Sequence, residues 1–228
     1  MMRLHVTVEG QTEEGFVNRT LKPHLANFGV YADVRCVMTG RKGGIGYRGG
    51  MAGYQKAKND IVRWLREDRN ADIAFTTMFD YYALPNDFPG YAEAKKLRDP
   101  YKKVAAVEKA LAEDMADRRF IPYIQLHEFE ALLFVKPEKF GIEYFGNQQG
   151  IAKLQAIAEE FGSPELINQG SETAPSKRII GVYPDYANNK AAIGSMIAHE
   201  IGIDEMKKAC SHFNAWVTRL EQLDGGHD

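Results

Sequence analysis

The sequence predicts an α/β fold: a mostly parallel sheet flanked by helices, followed along the chain by a helical layer. Up to about residue 135, strand-like and helix-like patterns alternate, which favours parallel strands joined by right-handed crossovers. Beyond residue 136 the strand patterns stop and only helical patterns follow. With 228 residues, of which 44% are hydrophobic, the chain can bury a substantial core.

Four short apolar runs are the predicted strands, at residues 2–9, 30–38, 73–80 and 120–126. The helix after the first strand is predicted to begin at Thr12, because a hydroxyl can cap the free N–H groups of a first turn. Its inward face is predicted from the spacing of its apolar residues, which are Phe16, Val17, Leu21 and Leu25. Two more helices are expected at 54–67 and 101–118, and residues 39–53 are expected to form a glycine-rich loop.

The second part of the chain is predicted to be helical at 149–161, 188–201 and 203–223. No Gly/Ser-rich linker precedes these helices. We therefore expect residues 136–223 to pack on the α/β core of residues 1–135, with a frayed tail at 224–228.

Bulk composition excludes some classes of protein. A formal charge of −2 and a pI near 6.3 argue against non-specific coating of nucleic acid, although a local basic patch is compatible with them. No apolar run approaches the roughly 18 residues of a membrane span, and no signal peptide is evident. Cys36 and Cys210 form no CxxC pattern, so we expect buried core thiols and a cytoplasmic location.

Two carboxylates stand where predicted strands end. Glu9 closes the first strand and Asp80 closes the third. Ligands of open α/β sheets bind at the carboxyl ends of the strands, and magnesium prefers carboxylate and water oxygens. The pair therefore indicates a Mg²⁺ or Mn²⁺ site. A helix cap or an exposed loop acid is the alternative role for each residue.

The segment His127-Glu128-Phe129-Glu130 follows the fourth predicted strand, so it is expected at the same edge of the sheet. Glu130 begins an apolar stretch, and a buried acid needs a partner or a metal. Glu128 and Glu130 are therefore further candidate ligands. The alternative is a helix N-terminus at which acids complement the helix dipole.

Basic residues could hold phosphates near these acids. The glycine-rich segment supplies some of them, and a predicted helix start supplies others. The candidates are Arg41, Lys42, Arg48, Lys177 and Arg178, with Lys190 further along the chain. A charged surface loop and a solvated helix start are the alternatives.

Five segments together resemble a bacterial family of unknown function with a TOPRIM-like core. They are VEGQTE at 8–13, DYY with LP at 80–85, HEFE at 127–130, APSKR at 174–178 and CSHF at 210–213. The resemblance runs from residue 4 to about 223. It implies a TOPRIM-like sheet in which Glu9 is the family glutamate and Asp80 is the first aspartate.

The sequence departs from the TOPRIM pattern at Tyr82, where a second aspartate is expected. Asp87, Glu128 or Glu130 could substitute for it, and Glu130 is preferred. Relatives are often encoded beside AAA-type ATPases in settings that suggest phage defence. The resemblance thus implies an effector or nuclease subunit with an AAA-type ATPase as partner.

Three functions follow from these observations. The first is a metal-dependent nuclease of DNA or RNA, with Glu9, Asp80 and Glu130 as catalytic residues holding Mg²⁺ or Mn²⁺. The second is a non-catalytic module that regulates an AAA-type ATPase through an aromatic surface, formed by Tyr81, Tyr82, Phe88 and Tyr91. The third is a nucleotide phosphohydrolase that uses the same acids.

Overall fold

The computed structural model of the protein describes residues 1–42, 45–48, 51, 53–168 and 173–225, without the side chains of 38–42 and 45–48. Its centre is a parallel sheet. The strands are β1 (Met2–Val8), β2 (Val30–Cys36), β5 (Ile73–Asp80), β6 (Phe120–Ile121) and β7 (Ile124–Gln125). They lie in the order β2-β1-β5-β6, with β7 also paired to β5. The predicted α/β class is confirmed.

Helices cover both faces of this sheet. The first helical segment consists of α1 (Gln11–Phe16), a π-helical turn (Val17–Leu21) and α2 (Lys22–Ala26). The others, in chain order, are α3 (Tyr54–Glu67), α4 (Tyr91–Ala94), α5 (Pro100–Met115), α6 (Gln148–Phe161), α7 (Pro175–Val182), α8 (Tyr186–Ile201), α9 (Ile203–Ala209) and α10 (Ser211–Glu221). Among the described residues, 3₁₀ turns lie at Tyr81–Ala83, Phe129–Val135, Pro137–Ile142 and Pro164–Leu166.

Alternation along the strands builds two hydrophobic cores, because successive side chains point to opposite faces. In β5, Ala74 and Met78 join one core, whereas Phe75 and Phe79 join the other. The first core also contains buried residues of β1, the first helical segment and α8 to α10. The second contains residues of α3 and α5. The C-terminal helices therefore share a core with the N-terminal strands.

Several predicted boundaries are wrong, each for a local reason. The helix after β1 is capped at Gly10 rather than at Thr12, and the Glu13 carboxylate accepts the Gly10 N–H. The fourth strand is split around Pro122, which has no N–H for the ladder. The helix predicted at 203–223 breaks at Cys210, whose backbone is extended.

The glycine-rich segment is not a simple loop. Its backbone forms an antiparallel hairpin of β3 (Met38–Lys42) and β4 (Ile45–Arg48). Within the described part of the chain, no helix is both long and apolar enough to cross a membrane. Cys36 and Cys210 are both buried in the first core, as predicted.

Candidate active site

Glu9 and Asp80 flank the point at which the strand order of the sheet reverses. The chain passes from β1 to β2 on one side and then crosses back to β5 on the other. Val8 pairs in register with Met78, so Glu9 and Asp80 lie next to each other at the carboxyl edge. Such a switch point forms the crevice in which open α/β sheets bind ligands.

Glu13 brings a third carboxylate to this crevice. It lies on the first turn of α1, is 7% exposed, and accepts a hydrogen bond from Gly10 N–H at 2.9 Å. Its sequence position does not single it out as a site residue, because an acid in a first helical turn is explained by the helix dipole alone. Its spacing of four residues from Glu9 was the available signal.

The 3₁₀ turn after β7 contributes Glu130, and Glu128 directly precedes this turn. Glu130 is 5% exposed, its Oε1 lies 3.5 Å from Lys190 Nζ, and the Tyr186 hydroxyl donates to it. Glu128 accepts a hydrogen bond from Ser176 N–H, in the first turn of α7, at 2.9 Å. Both acids are thus held by groups from the C-terminal helices.

We define the acid cluster as Glu9, Glu13, Asp80, Glu128 and Glu130. Burial and the charges of neighbouring acids raise the pKa values of Glu9, Glu13, Asp80 and Glu130. Burial, followed by the charge of Glu13, raises the pKa of Glu9 to about 7. Burial also raises the pKa of Glu13 to about 7, and the charge of Glu130 adds to the effect. Burial and the charges of Glu13 and Glu9 hold the pKa of Asp80 well above its usual range.

Two oxygens of the acid cluster have no hydrogen-bond partner among the described residues. They are Glu9 Oε2 and Asp80 Oδ1, and both are buried. A buried carboxylate oxygen without a donor is costly, so these atoms are the ones available to a cation. Among the described residues, no set of three His, Cys, Asp or Glu side chains is already arranged to coordinate one ion.

The structure gives Tyr82 and Asp87 roles outside the acid cluster. The ring of Tyr82 packs against His127, with ring centroids 5.1 Å apart. The Asp87 carboxylate accepts the backbone N–H of Tyr54 at the start of α3. Asp87 is therefore a helix cap, and it does not replace the aspartate that the TOPRIM pattern expects at position 82.

Among the basic candidates whose side chains are described, Lys190 contacts the acid cluster, through Glu130. Arg178 donates to the Thr173 carbonyl at 2.8 Å and lies over the Phe161 ring, so it stabilises its own helix start. Lys177 is exposed on α7. The side chains of Arg41, Lys42 and Arg48 lie outside the described residues.

The C-terminal cysteine offers no nucleophile. Burial and the nearby charge of Glu165 raise the pKa of the Cys210 thiol far above its ordinary value, so the reactive thiolate is disfavoured. This agrees with the core role predicted for Cys210.

Comparison with known proteins gives a family. No curated protein matched the chain, and no solved structure matched it. One family model, described as a domain of unknown function (DUF4276), matches residues 8–221, a range that includes all five acids of the acid cluster. The chain therefore belongs to the DUF4276 family.

Proposed function

We propose that the protein is a metal-dependent nuclease whose acid cluster binds Mg²⁺ or Mn²⁺ through Glu9 and Asp80. The observation that carries the proposal is a pair of buried oxygens at the switch point of the sheet, Glu9 Oε2 and Asp80 Oδ1, for which the described part of the chain supplies no hydrogen-bond partner. Carboxylate oxygens are the ligands that these hard cations prefer.

The residues present fit a magnesium ion held by two carboxylates. Mg²⁺ usually binds to one or two protein carboxylates and completes its octahedron with waters and substrate phosphate oxygens. Such a site needs no cage of three protein ligands. A divalent charge would also offset the repulsion that raises the pKa values of Glu9 and Asp80.

The other acids have neighbours that fit supporting roles. Glu13 accepts the Gly10 N–H and Glu128 accepts the Ser176 N–H, so each fixes a backbone segment beside the crevice. Glu130 holds Lys190, which would contact a phosphate oxygen of the substrate. A bound cation would activate water and stabilise charge on the phosphate. Direct ligation by Glu128 or Glu130 stays a prediction.

The TOPRIM-like assignment is part of this proposal and is supported by the resemblance. A glutamate after the first strand and an aspartate after a later one match the TOPRIM pattern, and Glu13 supplies an additional carboxylate. On the resemblance alone, we also propose an AAA-type ATPase as partner and a role in phage defence. Co-purification of the full chain with such an ATPase would test the partnership.

Cleavage assays test the catalytic proposal. The purified protein would be incubated with single-stranded DNA, duplex DNA and single-stranded RNA, with Mg²⁺, with Mn²⁺, or with EDTA. We expect metal-dependent cleavage that falls on the order of 100-fold or more in Glu9→Gln and in Asp80→Asn. Each of these variants keeps the size of the side chain and removes a ligand charge.

The matched control is Glu159→Gln, which changes an exposed glutamate of α6. It should cleave at the wild-type rate. Cleavage at equal rates by the wild type, Glu9→Gln and Asp80→Asn would contradict the proposal, because the activity would then arise elsewhere. Absence of cleavage with all three substrates and both metals would also count against a nuclease.

A further inference from the structure

A small pocket adjoins the acid cluster on the side of Tyr82. Its lining includes Tyr81, Tyr82, Lys103, Leu126, His127 and Asn168. Tyr82 follows Asp80 by two residues and His127 directly precedes Glu128, so the pocket and the acid cluster share two segments of the chain. Its empty space is about 260 Å³, and this figure includes the side that is open to solvent. A single planar ring system suits it.

Aromatic faces form part of the wall. Tyr82 and His127 lie with ring centroids 5.1 Å apart and planes inclined by 37°. Aromatic rings such as these stack on the faces of nucleobases.

His127 is held in an uncommon backbone conformation. Its φ is 63°, in the left-handed region, which costs free energy for a residue with a side chain. Its carbonyl accepts the backbone N–H of Tyr82 at 3.1 Å. The two segments that bear the acids are therefore tied together here, and their aromatic residues are fixed against each other.

Polar groups in the lining supply hydrogen bonds and charge. Tyr81 is 6% exposed, and its hydroxyl is buried. This hydroxyl has no hydrogen-bond partner among the described residues. Asn168 Nδ2 lies 3.5 Å from His127 Nδ1. Lys103 makes no ion pair within the described part of the chain. The Tyr81 hydroxyl and the Asn168 amide can form hydrogen bonds with the edge of a base, and the Lys103 ammonium can pair with its phosphate.

We infer that this pocket holds the unpaired nucleobase of a nucleotide next to the phosphate that a cation on Glu9 and Asp80 would bind. The position beside a scissile phosphate rests on the proposed function. The substrate class is then single-stranded nucleic acid. A base inside a duplex is stacked and paired, so it cannot enter the pocket unless it is flipped out.

Binding without cleavage tests the inference. Fluorescence anisotropy in EDTA would compare fluorescein-labelled dT12 with an abasic 12-mer, which has the same phosphates and no bases, and with a 12-base-pair duplex. We expect the wild-type protein to bind dT12 about tenfold or more tightly than it binds the abasic strand or the duplex. Tyr82→Ala should remove most of that difference, whereas Tyr82→Phe, which keeps the ring, should retain it.

The controls separate stacking from loss of structure. Tyr31→Ala removes an aromatic ring that is 51% exposed on the edge strand β2, and it should leave the dT12 preference unchanged. Lys103→Met should weaken binding to dT12 and to the abasic strand alike, since it removes a phosphate contact. Equal wild-type affinity for dT12 and the abasic strand would overturn the inference, as would an unchanged preference in a folded Tyr82→Ala.

The two proposals can fail independently. A preference for dT12 without any cleavage would support the nucleobase pocket and count against the nuclease. Metal-dependent cleavage with no preference for bases over abasic sites would support the nuclease and overturn the nucleobase pocket.

Discussion

Glu9, Asp80 and Glu130 are three acids at one edge of the sheet with different partners. Glu130 has a cation 3.5 Å away, Lys190, and a hydroxyl donor, Tyr186. Glu9 and Asp80 each keep one buried oxygen without a partner among the described residues. We therefore propose Glu9 and Asp80 as the ligands of the cation, with Glu130 as the residue that positions Lys190.

Metal binding at Glu9 predicts a thermal shift. A ligand that binds the folded state at 100 times its Kd stabilises it by about 2.7 kcal/mol, and a chain of this size gains about 2–4 °C per kcal/mol. Saturating Mn²⁺ should therefore raise the Tm of the wild type and of Glu159→Gln by roughly 5–10 °C. Glu9→Gln should show little shift, and an equal shift in Glu9→Gln would exclude Glu9 as a ligand.

His212 predicts a pH dependence of stability. Burial by itself lowers its pKa, but the Glu108 carboxylate 2.9 Å away, with the charge of Glu165, outweighs burial and raises it. Its ring also stacks on Tyr123. The pKa of His212 is higher in the folded state than in the unfolded state, so protonation of His212 stabilises the fold. This stabilisation is full below about pH 6.5 and is lost as the pH rises through the folded-state pKa of His212.

Urea unfolding of the wild type and His212→Gln measures this effect. The wild type should have a higher free energy of unfolding than His212→Gln. This difference between the two proteins should be about 1–2 kcal/mol larger at about pH 5.5 than at about pH 9. Comparing the two proteins at each pH cancels the titration of other groups. A difference that stays constant with pH, or grows with it, would refute this assignment.

At the scale of elements, Glu165 fixes the start of α10. It is fully buried in the 3₁₀ turn Pro164–Leu166, and its carboxylate accepts the backbone N–H groups of His212 and Phe213. These are two of the N–H groups that a helix leaves unsatisfied at its start. The same helix reaches the sheet through Trp216, whose indole N–H donates to Thr76 Oγ1 at 2.9 Å.

Removal of this cap should be costly. Glu165→Ala leaves two N–H groups buried without an acceptor, and we expect it to lower the free energy of unfolding by about 2–4 kcal/mol. Glu159→Ala, on the exposed face of α6, should change it by no more than about 0.5 kcal/mol. Denaturant titration of both variants gives the comparison, and a loss below about 1 kcal/mol for Glu165→Ala would show that the cap is dispensable.

Elements with strong local signals were predictable from the sequence. The bounds of α3 and β5 agree with prediction, because a helical apolar stripe defines α3 and a continuous apolar run ending in an acid defines β5. The break at Cys210 was not predictable. It separates α9 from α10 where Glu165, from a distant turn, takes over the N–H groups of the new helix start.

At the scale of the whole molecule, the N-terminal sheet and the C-terminal helices stabilise each other. Leu4 and Val6 of β1 are fully buried in the same core as Ile197, Phe213 and Val217 of the C-terminal helices. Burial of apolar surface is the main favourable term in folding. The two parts of the chain therefore depend on one core.

This shared core predicts that a fragment of residues 1–135 does not fold alone. Without the C-terminal helices, one face of β1 and β5 would lie open to water. We expect no cooperative thermal transition by circular dichroism and poor dispersion in a one-dimensional proton spectrum. A chain ending at residue 225 should melt like the full protein. A cooperative transition in the 1–135 fragment would show that the N-terminal part folds independently.

The sequence by itself determined the α/β class and the positions of Glu9 and Asp80 at the strand ends, because apolar periodicity and parallel connectivity are local or topological properties. Only the tertiary structure decided that Glu13 joins these acids, that Lys190 pairs with Glu130, and that Tyr82 and His127 wall a pocket beside them. Glu13 with Asp80, Lys190 with Glu130, and Tyr82 with His127 are pairs from distant parts of the chain. Their distances are set by packing, which no local pattern encodes.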